Sequence, residues 1–306
     1  MTAFSKERIK SAGLFAGLMT TVLVLVSCAS VNMPAITETK TNQRLPGKIV
    51  WHDLITDTPE QSQAFYSGLF GWEFEAIGRT MGMGSNSAYT IIRHEGRMIG
   101  GMIDQNKLRT TEDISQWMPL MSVDDMGVAL ARVQANSGTV LTPETEMADR
   151  GSLAVIADPQ GAYIALVRTH YGDPVDRAPN QSDFLWNELW TTDLKGSSQF
   201  YMSLGGFDKE TKVLDDDINY HFLSHNGKPR VGMIDHPVPN IGSVWVAYIK
   251  VKDVDEVLSK VEALGGEILV PARERDIGGK VALIAGPSGA GIAIQTWDKA
   301  DEERLK

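Results

Sequence analysis

Two carboxylic acids at equivalent positions of an internal repeat are the groups in this chain best suited to proton transfer. Asp53 lies in the tripeptide WHD (residues 51–53), and Glu188 lies in the matching tripeptide WNE (186–188), at a constant offset of 135 residues. A carboxylate whose pKa is raised by apolar neighbours can act as a general base. A structural role is also open, because such an acid can be bonded to backbone amides or to an arginine.

Aromatic side chains accompany both acids. Side chains alternate between the two faces of a strand, so Trp51 would share a face with Asp53, and Trp186 and Trp190 would share one with Glu188. The same alternation along the last predicted strands adds further polar and aromatic candidates. We therefore expect a ligand to be contacted by these residues: Trp51, Tyr163, Trp186, Trp190, Gln295 and Trp297. Such an aromatic wall holds an amphipathic organic molecule by stacking, although the tryptophans could instead fill the core.

Two further features have weaker claims to function. The alternation turns His52 away from Asp53, so we expect a hydrogen-bonded histidine under a helix rather than a catalyst. The Gly/Met loop at residues 78–85, with Met81 and Met83, could close over the cavity as a lid or remain a surface loop.

A repeated order of strands and helices positions these residues. In the first copy, residues 49–55 form a predicted strand, and a helix begins at Thr58-Pro59 and ends near Gly71. A repeat of this length indicates a duplicated domain, because solenoid units are roughly 20–50 residues long. Each copy contains two β-α-β-β-β units, which span residues 48–104, 117–168, 183–235 and 244–297.

The repeated pattern resembles the vicinal oxygen chelate family, the superfamily of glyoxalases, bleomycin-resistance proteins and extradiol dioxygenases. The resemblance rests on Phe-Tyr pairs in the first helices, Gly-Met pairs in predicted strands and turns of the Asp-Pro-x-Gly kind: residues 65–66, 200–201, 101–102, 232–233, 158–161 and 286–289. It implies an α+β fold of tandem βαβββ modules. Their mixed sheets would curl into half-barrels around a cavity, with the helices outside.

Composition and the repeat together divide the chain into segments. We predict a signal peptide, a polar tether, a first glyoxalase-like domain, a linker, a second such domain and a charged tail: residues 1–27, 28–47, 48–168, 169–182, 183–297 and 298–306. The duplication allows the two domains to pair within one chain, so we expect a monomer or a weak homo-oligomer.

The family's metal site is predicted to be lost. In its metal-using members, each module supplies a ligand from the first strand, often His, and a Glu from the last strand. The corresponding positions here are Trp51, Trp186, Ala165 and Ala293. Neither Trp nor Ala can coordinate a divalent ion, so we expect no metal and no cofactor.

The N-terminus predicts a membrane address. Basic residues within the first ten precede an apolar run at residues 11–26, which is shorter than the roughly 20 residues needed to cross a bilayer. The sequence LVSC at residues 25–28 resembles the bacterial lipobox, which implies a lipid anchor on Cys28 and a location in the cell envelope. Ala29 and Ser30 favour the outer membrane if the organism has one. An uncleaved transmembrane anchor is the alternative.

Composition excludes one class of partner and one kind of cross-link. A net charge of −10 argues against nucleic acid, and the single cysteine excludes an internal disulfide.

Three functional hypotheses remain. The first hypothesis is an anchored protein that binds a small hydrophobic or aromatic molecule without metal. The second is an enzyme, a lyase, isomerase or hydrolase that uses Asp53 or Glu188. The third is an envelope interaction module whose cavities are filled by side chains.

Overall fold

The computed structural model describes residues 33–77, 88–108, 110–213, 219–238 and 241–298. The first half contains β1 Ile49–Thr56, α1 Pro59–Phe70, β2 Glu73–Ala76, β3 Tyr89–His94, β4 Arg97–Asp104, β5 Gln116–Ser122, α2 Met126–Ala135, β6 Thr139–Val140, β7 Thr145–Met147, β8 Gly151–Ala157 and β9 Tyr163–Thr169. The second half contains β10 Phe184–Thr191, α3 Leu194–Gly205, β11 Asp208–Val213, β12 Asn219–His225, β13 Lys228–Asp235, β14 Val244–Lys250, α4 Val254–Val261, β15 Glu267–Glu274, β16 Lys280–Ala285 and β17 Gly291–Gln295.

Each half forms one mixed sheet from its two β-α-β-β-β units. The strand order is β2-β3-β4-β1-β5-β9-β8-β6 in the first sheet, where β7 pairs with β8, and β11-β12-β13-β10-β14-β17-β16-β15 in the second. The two units of a half meet at the antiparallel pairs β1–β5 and β10–β14. The predicted α+β class and module order are confirmed.

A long-range contact shows that the first sheet is curled. Arg150, just before β8, donates from Nη1 to the hydroxyl of Tyr89 on β3 at 2.9 Å. Five strand spacings separate β3 from β8, which would place them about 24 Å apart in a flat sheet. The two side chains cannot bridge that gap, so the open sheet must curl into a half-barrel.

The halves pack against each other through their helices. One apolar cluster joins α1 of the first half to α4 of the second, and another joins α2 to α3. At the centre, His52 and Asn187 are 2.7 Å apart between Nε2 and Oδ1. These two residues are equivalent in the repeat, and contact between equivalent positions is the mark of a two-fold relation. The halves are therefore related by a pseudo-two-fold axis near this pair.

The N-terminal segment (residues 33–47) differs from the predicted tether, because it packs against the first sheet. Met33 and Ile36 are buried in the apolar cluster on the inner face of the half-barrel. The amides of Thr41 and Asn42 both donate to the carbonyl of Tyr171 at 3.0 Å. Polar composition and prolines suggested a free chain, but two apolar residues and several hydrogen bonds dock it.

Several predicted features lie outside the described residues. These are the signal segment, Cys28, the whole Gly/Met loop at residues 78–85 and the C-terminal tail after residue 298. In the described part of the chain, no helix combines the length and apolar character needed to cross a membrane.

Candidate binding site in two equivalent half-barrels

Asp53 is the centre of a buried polar network in the first half-barrel. Its Oδ1 accepts hydrogen bonds from Trp51 Nε1 at 2.9 Å and from the Tyr89 hydroxyl at 2.6 Å. Arg150, which is fully buried, places Nη1 3.7 Å from Asp53 Oδ2, and its guanidinium lies 4.8 Å from the Trp51 ring. Burial raises the pKa of Asp53, while Arg150 and the two donors oppose that rise.

Glu188 has an equivalent and more complete network in the second half-barrel. Its Oε1 accepts from the Tyr220 hydroxyl and from Arg275 Nη2, both at 2.7 Å. Its Oε2 accepts from the Tyr248 hydroxyl and, at 3.4 Å, from Trp190 Nε1. Burial alone would raise the pKa of Glu188, but Arg275 and the hydroxyl donors outweigh it and hold the pKa below its ordinary value. Glu188 is therefore a fixed anion in a paired site, and a poor proton acceptor.

Glycine on the neighbouring strand makes room for each network. A Cβ at Gly101 would lie 1.9 Å from the Tyr89 hydroxyl and 2.4 Å from Asp53 Oδ1. A Cβ at Gly232 would lie 2.1 Å from the Tyr220 hydroxyl. Both glycines pair in register with the acid-bearing strand, at Asp53 and Glu188. The tyrosine hydroxyls can reach the acids only because these positions have no side chain.

Two curated relatives have low but extended similarity, and no protein-family model matches the chain. A Mycobacterium tuberculosis protein named "Putative glyoxylase CFP32" is 24% identical over 244 residues, which cover 80% of this chain and 92% of that protein. The anthracycline biosynthesis protein DnrV of Streptomyces peucetius is 24% identical over 270 residues, which cover 81% of this chain and 93% of that protein.

Solved structures give the fold. The Mn(II)-bound glyoxalase from Novosphingobium aromaticivorans matches with a TM-score of 0.53 and 14% identity, covering 82% of each chain. This chain has the vicinal oxygen chelate fold. The fold implied by the resemblance is thereby confirmed.

The positions at which the family resemblance would place metal ligands come together here, and their side chains are not metal donors. Trp51, Leu120 and Ala165 are neighbours across three adjacent strands. The second sheet repeats the row with Trp186, Tyr248 and Ala293. The nearest carboxylates are already bonded to arginine, tyrosine and tryptophan. No group of three or more His, Cys, Asp or Glu side chains within the described residues could hold a metal ion. The side chains at these positions do not suit the coordination of a divalent metal ion.

The two half-barrels differ in how far their aromatic residues are covered. Trp51 is 2% exposed beneath the N-terminal segment, and Tyr163 packs partly buried at the edge of the same cluster. In the second half-barrel, Trp190 is buried, while Trp186 and Trp297 stay partly exposed beside Tyr220, Phe222 and Ile277. The proposed ligand-contacting residues thus form a covered group and an accessible group.

Gln295 was expected to contact a ligand, but in the structure it is a buried hydrogen-bond partner of Arg275. It is 2% exposed, its Oε1 accepts from Arg275 Nη1 at 3.2 Å, and its Nε2 donates to the Gly278 carbonyl at 2.8 Å. Gln295 therefore holds Arg275 in place from behind.

Sequence reasoning missed the tyrosines and arginines of both networks. Tyr89 and Tyr220 recur at a constant offset in the repeat, which could have marked them as paired site residues. Arg150 and Arg275 come from the loops before β8 and β16 and are three positions out of register with each other. No repeat signal could have paired them.

Proposed function

We propose that this protein is a lipid-anchored envelope protein that binds a small hydrophobic or aromatic molecule in its second half-barrel without a metal ion. The observation that carries the proposal is the partly exposed Trp186 beside a fully satisfied Glu188–Arg275 pair. Trp186 Nε1 donates to the Tyr220 hydroxyl at 2.8 Å, which fixes the plane of the indole. A preoriented aromatic face next to polar groups suits stacking of a flat ligand.

The arrangement does not favour catalysis by the acids. A general base must have a free lone pair near the proton it removes, and Glu188 already accepts from four side chains. Asp53 has a raised pKa, but it is 4% exposed and lies in the covered half-barrel. A binding role therefore accounts for both networks with fewer rearrangements than an enzymatic one.

The name of one relative supports a flat aromatic ligand. DnrV is named for anthracycline biosynthesis, and anthracyclines carry a planar ring system that can stack on tryptophan. The lipobox-like sequence at Cys28 supports the anchor. The occupied carboxylates and the Trp and Ala residues at the metal positions support binding without metal.

The binding proposal predicts unequal effects for two equivalent tryptophans. Equilibrium dialysis with 1,8-dihydroxyanthraquinone, in buffer containing a chelator, should show binding by the wild type. Trp186→Phe should raise the Kd about fivefold, since the smaller ring stacks over less area and loses the hydrogen bond to Tyr220 that orients it, together about 1 kcal/mol. Trp51→Phe is the matched control and should leave the Kd unchanged, because Trp51 is covered.

Three results would contradict the proposal. Equal weakening by both substitutions would indicate a loss of stability rather than of a contact. No effect of Trp186→Phe would place the ligand elsewhere. Loss of wild-type binding in chelator would show that a metal ion takes part.

A further inference from the structure

Arg150 is buried with one nitrogen unsatisfied. Its Nη1 donates to Tyr89, and its Nε donates to the carbonyl of Pro34 at 3.2 Å. The side chain is fully buried, and its Nη2 has no hydrogen-bond partner among the described residues. Leaving a buried charged donor unpaired is costly. An oxygen atom placed here would remove that cost.

One of the two hydrogen-bond acceptors of Arg150, the Pro34 carbonyl, belongs to the N-terminal segment. Pro34 lies between Met33 and Ile36, whose side chains pack on the inner face of the half-barrel beside Trp51. The segment thus supplies a carbonyl oxygen and apolar groups over an aromatic floor. A flat aromatic molecule with a carbonyl group would supply the same features.

The attachment of the segment is uneven along its length. The Leu45 amide donates to Asp173 Oδ2 at 2.6 Å, and Arg44 Nη2 donates to the Thr169 carbonyl at 3.1 Å, so this end is well fastened. Towards the N-terminus, Glu38 forms only an exposed ion pair with Arg93 at 2.9 Å. Residues 36–39 also border a cavity of about 330 Å³. Residues 37–39 are therefore held to the rest of the protein by fewer bonds than residues 41–45.

We propose that the first half-barrel is a second binding site, for a neutral aromatic ketone or quinone, and that residues 33–36 close it as a displaceable plug. The ligand carbonyl would accept from Arg150 in place of Pro34, and its rings would lie on Trp51. A neutral ligand fits because Asp53 already balances the charge of Arg150. This proposal rests on the proposed function, because it assumes that the first half-barrel, once uncovered, binds a ligand as the second does.

The test counts bound probe rather than activity. Equilibrium dialysis of the full chain with 1,8-dihydroxyanthraquinone should give one mole bound per mole of wild type at low probe concentration. The double variant Met33→Ser/Ile36→Ser should bind two. Val128→Ser, which removes an exposed apolar side chain on α2, is the control and should bind one. A synthetic peptide of residues 31–40 should return the double variant to one.

The outcomes separate this proposal from the function proposed above. A folded double variant that binds one mole alongside a wild type that binds one overturns the plug. A wild type that binds two also overturns it, because the segment would not close the site. A wild type that binds none and a double variant that binds one would remove the second half-barrel site and support the plugged one. No binding by either protein overturns both proposals.

A second measurement uses only the wild type and covers the case in which the double variant does not fold. Lys40 is exposed and lies at the junction between the plug and the fastened part of the segment. High concentrations of the probe should free residues 33–36 and speed tryptic cleavage after Lys40 several-fold. Unchanged or slower cleavage with the probe bound would show that the segment is not displaced.

Discussion

His52 shows how burial fixes the charge state of a single residue at the junction of the two halves. Its ring is 4% exposed, stacks on Phe184 at 3.8 Å between centroids and bonds Asn187. Burial lowers the pKa of His52 to about 4, against the hydrogen bond to Asn187, which raises it. The imidazole is therefore neutral at physiological pH and acts as a packing and hydrogen-bonding group.

The depressed pKa of His52 predicts a loss of stability in acid. The unfolded chain takes up a proton near pH 6.5 and the folded protein only near pH 4, so stability falls as pH decreases through that window. Between pH 7 and pH 5 this one residue should remove about 2 kcal/mol. Urea unfolding at both pH values should show that loss in the wild type and a smaller one in His52→Gln. Parallel losses in the two proteins would contradict the assignment.

At the scale of the strands, β4 and β13 allow the networks to form. Each has a glycine opposite the acid-bearing strand, and a tyrosine from the next strand passes over that glycine to the acid. The Gly-Met pairs noted in the sequence therefore mark a space requirement. The tyrosine hydroxyl and the carboxylate occupy the volume that a larger residue would fill.

Gly101→Ala is predicted to destabilise the protein by about 1–3 kcal/mol, the usual cost of overpacking, with the added loss of a buried hydrogen bond. Gly127→Ala, in α2, is the matched control. Its Cβ would meet only Asp125 Oδ1 at 3.4 Å, and alanine favours a helix, so this variant should be unchanged or slightly more stable. Thermal unfolding of both variants measures the difference. Equal melting temperatures would show that Tyr89 can move aside.

The sequence was informative where structure follows local periodicity. Alternation along β1 and β10 placed Trp51 with Asp53 and Trp186 with Glu188, and the Phe-Tyr pairs marked α1 and α3. The arginines could not be predicted, because each reaches its acid from a hairpin loop across a curled sheet. Curvature is set by the packing of the whole half and leaves no mark at Arg150 or Arg275 themselves. The docking of residues 33–47 was missed because it rests on two buried side chains, Met33 and Ile36, and on hydrogen bonds to residues more than 120 positions away.

At the scale of the whole molecule, the two equivalent halves of the repeat have one covered half-barrel and one accessible half-barrel. The halves share the pseudo-two-fold axis, the tryptophan, the acid, the tyrosine and the arginine. The halves differ in how they are covered. Within the described residues, the N-terminal segment lies over the first half-barrel and not over the second. In the sequence, the proposed anchor residue Cys28 precedes this segment by five positions.

The proposed anchor makes a prediction about processing. Cys28→Ser removes the only cysteine of the chain, so it should abolish lipid attachment and leave the signal segment uncleaved. Ser27→Ala keeps a small residue before Cys28 and should be lipidated and cleaved like the wild type. Incorporation of labelled fatty acid and the size of the protein on an immunoblot distinguish the two. Equal sizes of the wild type and Cys28→Ser, with no label in either, would indicate a transmembrane anchor.

The bonds between the N-terminal segment and residues 169–173 also order events during synthesis. They join positions 125–132 residues apart, so the segment leaves the ribosome long before its partners exist. Domains fold as units from the N-terminus, and contacts across such long loops form late. The segment is therefore made first, and its bonds to residues 169–173 can form only after the whole first half has been made.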